Sequence, residues 1–223
     1  MKKYYEAYDD RYRQVHREGL LWFDKSATHL VRDTIEKYHI GKNDSILEIG
    51  TGEGRDAFPL LCEGYNLYAS DISKEAVSFC QRVMPEAQER FFVLDAIDGT
   101  HERKYAFIYA VAVLHMLVED GDRVRFLRFI REHLCDGGIA LITTMGDGET
   151  ERATNPEDAF NLQKRVHEKS GRMLEIASTT CRMVTFATLH RELDEAELLL
   201  LEEGVSERVE GFHAMIYTIV KGK

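Results

Sequence analysis

The stretch Ile46-Leu47-Glu48-Ile49-Gly50-Thr51-Gly52-Glu53-Gly54-Arg55-Asp56 limits the possible folds of this chain more than any other. A short apolar run predicts a buried strand, and the pattern from Asp56 to Cys62 predicts a helix. The glycines between them permit positive φ and let a ligand approach the backbone closely. Such a turn belongs at the carboxyl edge of a doubly wound sheet, where ligands bind. The flanking sequence agrees. Strands are predicted over 66–70, 91–94, 106–114 and 139–143, and a helix over 74–83. Alternation of this kind gives an α/β fold with a mostly parallel, Rossmann-like sheet.

Composition narrows the class. The 223 residues suit a single domain. Within it, 1–40 read as a helical N-terminal cap, 41–146 as the binding core, 147–188 as a substrate-side insertion, and 189–223 as a closing helix and strands. Acidic residues outnumber basic ones, 39 to 29, for a net charge of −10. That balance argues against nucleic acid as a partner, because phosphate contacts supply most of the affinity for it. No uncharged apolar window is long enough to span a bilayer, and no apolar run follows Lys2-Lys3. A cytoplasmic protein with no membrane partner is expected. Cys62, Cys80, Cys135 and Cys181 stand far apart without zinc-ligand spacing, so free thiols and no metal are expected.

Other signals are local. Asp122 is placed to cap a helix that buries Phe126, Leu127, Ile130 and Leu134 and ends at Gly137-Gly138. Arg123, Arg125, Arg128 and Arg131 on it read as a solvated face. Asn155-Pro156 predicts the start of another helix, with Gly171 past its end. Leu198–Leu201 and Ala214–Val220 suggest an antiparallel pair at the sheet edge.

The glycines also discriminate between ligands. In the dinucleotide pattern G-x-G-x-x-G/A, the third glycine's slot is held here by Arg55. A ligand without pyrophosphate fits better. Asp71 follows the second strand, 21 residues after Gly50, where a carboxylate can accept both ribose hydroxyls of an adenosine. Asp95 follows the third strand, where its carboxylate or the Ala96 amide can read an adenine edge. Glu48 beside the loop can hold its amides or attract a cation, and these three acids together favour a sulfonium with an amino-acid tail.

On these residues, 40–145 resembles the class I S-adenosylmethionine-dependent methyltransferases. Gly54-Arg55-Asp56-Ala57-Phe58 and Gly64-Tyr65-Asn66-Leu67-Tyr68-Ala69-Ser70-Asp71 are similar to the tellurite- and thiopurine-type members. The resemblance implies a seven-stranded sheet whose last strand is antiparallel. It also implies S-adenosylmethionine as cofactor, a small-molecule methyl acceptor, and a cofactor site drawn from Glu48, Gly50, Thr51, Gly52, Asp71, Ile72, Asp95, Ala96 and Val111. Ala106 and Val111 stand where the family often has an acid and Asn, and Glu197 replaces a frequent glycine. His115 is either a general base or a packing residue. Arg55 is either a partner of the cofactor carboxylate or a surface arginine. Tyr8, Tyr12 and Trp22 are either a lid over the sulfonium, since aromatic faces attract cations, or core. Thr179, Thr180, Cys181 and Arg182 fall where the family shapes its acceptor pocket. A cofactor-binding module without catalysis and an NAD-dependent oxidoreductase are the alternatives. A monomer or homodimer is expected.

Overall fold

The computed structural model describes residues 2–22, 27–167, 169–206 and 214–223. Residues 23–26 of the expected helical cap and 168 of the insertion lie outside them. Two helices come first, α1 (Ala7–Arg17) and α2 (His29–Lys37). The alternating core follows: β1 (Ile46–Ile49), α3 (Ala57–Cys62), β2 (Leu67–Asp71), α4 (Lys74–Val83), β3 (Phe91–Val93), β4 (Tyr105–Ala110), α5 (Asp120–His133) and β5 (Leu134–Met145). Four short strands form the insertion: β6 (Arg152–Ala153), β7 (Leu162–Val166), β8 (Met173–Ala177) and β9 (Arg182–Met183). The chain then runs through α6 (Phe186–Glu195), β10 (Leu198–Ser206) and β11 (Met215–Gly222).

Seven strands form one sheet in the order β10-β11-β5-β4-β1-β2-β3. Pairing from β3 across to β5 is parallel, and β11 runs antiparallel to both β5 and β10. This is the sheet the resemblance implies. The period-two alternation of a strand sends successive side chains to opposite faces. Ile46, Leu67 and Phe107 therefore pack with Val31, Leu60 and Val77 on one side. Leu47, Ile108 and Ala140 pack with Leu127, Ile130 and Leu189 on the other. A sheet covered on both faces opens only at its strand ends, which is where a site can form.

Three local readings are corrected. β4 stops at Ala110, because Ala112 takes φ 59° and its amide turns to Thr143 Oγ1 at 2.9 Å. The helix at 120–133 is preceded by Glu119 as its N-cap residue, and Asp122 instead accepts the Tyr4 hydroxyl at 2.7 Å. Asn155 does cap, taking the Glu157 amide at 3.1 Å, but for a single turn, Pro156–Asp158. The rest of that expected helix is the β7–β8 hairpin, with Gly171 in its turn at φ 66°. Among the described residues no helix is long and apolar enough to cross a membrane, and no cluster of His, Cys, Asp and Glu could hold a metal. All four cysteines are free.

Candidate active site

The floor of the site is built by backbone. After β1 the amides of Gly50 and Thr51 both donate to Ser70 O, at 2.8 and 2.9 Å, folding the loop onto β2. Gly50 has φ 80°, and a Cβ there would lie 2.3 Å from Val113 Cγ2. Gly52 has φ 54°, and its Cβ would lie 2.6 Å from the Tyr12 hydroxyl. Both positions therefore require glycine, for conformation and for space. At the tip of β2, Asp71 accepts the Gly52 amide on Oδ2 and the Ser73 amide on Oδ1, each at 2.8 Å. Burial raises its pKa to about 6 against the pull of those amides. Glu48 is buried beneath the loop, and its Oε2 has no hydrogen-bond partner. Burial, with the nearby charge of Asp56, pushes it up to about 8.

Above this floor lies a cleft of about 600 Å³, part of it open to solvent. Gly50, Asp71, Ile72, Asp95, Ala96 and Tyr12 line it together. Tyr5, Tyr8, Val113, Met116, Leu117 and Phe126 also line it, and of these only Tyr8 was a site candidate in the sequence. Asp95 is already engaged. Its Oδ1 accepts the Ile97 amide at 2.9 Å, and its Oδ2 accepts Lys3 Nζ at 2.7 Å. Val111 is buried outside the lining, and Val113 takes the place beside Gly50 after the left-handed turn at Ala112.

The roof is α1 and the segment after it, tied down by charge. Asp9 Oδ1 accepts the Ser73 hydroxyl at 2.8 Å and the Glu75 amide at 3.0 Å. His16 bridges Glu53 at 3.0 Å and Glu75 at 2.8 Å. Burial would lower its pKa, but the two carboxylates hold it above the ordinary 6.5. Glu53 also accepts the Trp22 amide at 2.9 Å. Arg55 pairs with Asp56 at 3.1 Å, and Asp56 in turn holds the backbone and hydroxyl of Thr28. On the opposite side α1 packs on the hairpin. Arg11 donates to Ala177 O at 2.9 Å, and Tyr8 donates to Thr180 O at 3.2 Å.

With that geometry in hand, likeness to known proteins can be placed. A family model described as a methyltransferase domain matches residues 47–140, which span β1 through the middle of β5. Over those residues the chain is similar to a methyltransferase domain. A curated relative, EEF1A lysine methyltransferase 2 of Danio rerio, is 31% identical over 90 residues, covering 38% of this chain and 39% of that protein. The matched stretch is thus well under half of either chain. Among solved structures, the CcbJ methyltransferase of Streptomyces caelestis superposes with TM-score 0.71 at 17% identity, covering 98% of both chains. The Burkholderia thailandensis 1,6-didemethyltoxoflavin-N1-methyltransferase, solved with 1,6-didemethyltoxoflavin and S-adenosylhomocysteine, superposes with TM-score 0.68 at 18% identity, covering 95% of this chain and 85% of that one. These likenesses establish the fold.

Within the matched stretch His115 sits in the turn Leu114–Met116, behind the cleft lining rather than in it. It is 4% exposed, and burial together with the charges of Arg123 and Arg11 lowers its pKa to about 3. Its imidazole is neutral near pH 7. Arg123 does not lie on a solvated face. It is fully buried, donates to Glu192 through Nε at 2.7 Å and Nη2 at 2.8 Å, and donates to Leu114 O at 2.7 Å through Nη1. It thereby fixes the segment that carries Met116 and Leu117 into the cleft. Of the four residues expected at the acceptor end, Thr180 donates its hydroxyl to Met116 O, and Arg182 pairs with Asp120 at 2.6 Å. Thr179 is held at φ 59°, and Cys181 Sγ lies 3.2 Å from Met145 Sδ.

Proposed function

We propose that the chain is an enzyme that transfers a methyl group from S-adenosylmethionine to a small-molecule acceptor by in-line displacement. One observation carries the reading: the buried Asp71 carboxylate lines the cleft beside a loop that glycine alone can form. The residues present suit such a cofactor. Asp71 retains acceptor capacity for a ribose diol after taking two amides. The unpartnered oxygen of Glu48 offers a counter-charge to a cationic tail. Ala96 and Asp95 stand where an adenine edge is read, and Ile72, Val113 and Leu117 offer apolar walls.

The bound cofactor supplies an electrophilic methyl group on a sulfonium. This chain's residues contribute position and dryness. The tyrosines of the roof cover part of the cleft and limit its water, and aligning the reactants can contribute several kcal/mol. His115 is assigned to packing behind Met116 rather than to proton transfer, because it is buried outside the lining and burial lowers its pKa to about 3, far from that of a useful base. Arg55 is assigned to holding Asp56 rather than the cofactor tail.

The small-molecule reading is supported by a roof that covers part of the cleft, and by the 1,6-didemethyltoxoflavin-N1-methyltransferase among the structural neighbours. The Danio rerio relative, named for a protein lysine, supports the other kind of acceptor. Calorimetry decides the first step. Micromolar binding of S-adenosylhomocysteine and none of NAD is expected, with affinity falling about tenfold or more in Asp71→Ala. Binding of NAD, or an unchanged affinity in the variant, would refute the reading. Turnover of labelled methyl onto extracted metabolites, against extracted protein, separates the acceptor classes and distinguishes an enzyme from a silent binder.

A further inference from the structure

Two guanidiniums lie close to one indole at the loop end of the roof. Arg11 Cζ lies 5.2 Å from the ring centroid of Trp22, and Arg165 Cζ lies 4.9 Å from it. Arg11 is 7% exposed, and its hydrogen bonds all go to carbonyl oxygens, Ala177 O and Ser178 O. Arg165 projects from the α1-facing side of β7, beside His167, and is exposed. Among the described residues neither arginine has a carboxylate partner. Other arginines that tie the roof, the insertion and α5 are paired with acids. Arg123 has Glu192, Arg172 has Glu18, and Arg182 has Asp120. Carbonyl dipoles and an indole face offset only part of a buried positive charge, and a second cation on the same ring adds to the excess.

The place matters as much as the charge. The Trp22 amide is fixed to Glu53 of the glycine loop, and the Tyr8 ring, which lines the cleft, lies 5.3 Å from Arg11 Cζ. The arginine pair thus borders the end of the cleft where α1, the loop and the insertion meet. Guanidinium forks match the plane of a carboxylate, and an indole offers a flat apolar wall next to them. The geometry points to a recognition site, formed by Arg11, Trp22 and Arg165, for the carboxylate of a planar acceptor molecule. This inference rests on the proposed function and adds the acceptor's chemical class: an organic anion.

Trp22 is the chain's one tryptophan, so its emission reports this site alone. The test titrates benzoate, and benzamide as its neutral isostere, into protein saturated with S-adenosylhomocysteine. Benzoate is expected to change Trp22 emission saturably, and benzamide to leave it unchanged. Arg165→Gln, an exposed change that leaves the roof's other ties in place, is expected to raise the half-saturating benzoate concentration about tenfold while S-adenosylhomocysteine binds as before. Equal responses to the two probes, no saturable response to benzoate, or an unchanged response in Arg165→Gln would overturn the site. A parallel titration uses 5′-methylthioadenosine, which lacks the amino-acid tail. If benzoate binds with that nucleoside but not with S-adenosylhomocysteine, the site belongs to the cofactor's own carboxylate and the acceptor assignment fails. Benzoate titrated into the protein alone still scores the arginine pair if calorimetry finds no nucleoside binding, so the two proposals fail separately.

Discussion

In the floor of the cleft the chain is fastened by backbone: Gly50 and Thr51 amides on Ser70 O, and the Gly52 and Ser73 amides on Asp71. In the roof it is fastened by side-chain charge: Asp9 on the start of α4, His16 between Glu53 and Glu75, Lys3 on Asp95. Backbone bonds of a sheet and its turns change little with pH or salt. Charged ties change with both. The comparison teaches that one cleft can pair a floor held by backbone amides, with the Asp71 carboxylate among their acceptors, and a cover held by charged pairs that loosen in the other pH direction.

The largest effect expected is on the floor's support. Arg123→Met leaves Glu192 buried without its partner, at a cost of about 3–5 kcal/mol, and frees the Leu114 carbonyl. Thermal or urea unfolding measures it. The double variant Arg123→Met/Glu192→Leu should recover much of the loss, and no recovery would mean the pair is not the cause. Next comes Gly50→Ala, which meets both a positive φ and Val113 Cγ2. Strain of about 1–3 kcal/mol should appear as lost S-adenosylhomocysteine affinity with the fold retained. An affinity within twofold of the parent would show that the loop can be rebuilt.

The roof should answer to pH in the opposite sense from the floor. The pKa of His16 is raised by folding, so its contribution is full below about 6.5 and is lost as pH rises through the folded value. Proteolysis of the native protein between α1 and α2 should quicken with rising pH, and Glu53→Gln should flatten that dependence. In the floor, Asp71 must be ionised to accept a diol. Nucleoside affinity should therefore fall as pH drops through about 6. A profile in which floor and roof move together would break the comparison. The smallest effect concerns Glu48, which is mostly protonated at pH 7 in the free protein. A cationic tail favours its carboxylate, so binding should release up to about one proton. Calorimetry in phosphate and in Tris would show this as different apparent enthalpies.

What the sequence disclosed follows the same division. The limits of β1 and α4, at 46–49 and 74–83, match the expected ones, because local pattern and the Ser73 cap decide them. Gly50, Asp71 and Asp95 were legible because strand ends in this fold converge by topology. The roof was not. Tyrosines at helical spacing describe a buried face equally well, and nothing near Arg123 marks a partner 69 residues away in Glu192. The hairpin was missed because Asn155-Pro156 does carry a cap, and Gly171 does sit at a turn, yet Leu162–Val166 between them pairs as a strand with β8, which packs on α1.

Lys3 carries one more consequence. Its ammonium holds the Asp95 oxygen that an adenine amino group would otherwise engage. On the proposed reading an arriving nucleoside exchanges one N–H donor for another, and the incumbent is charged while the newcomer is neutral. Added salt loosens the incumbent and barely touches its rival, so moderate ionic strength should ease nucleoside entry.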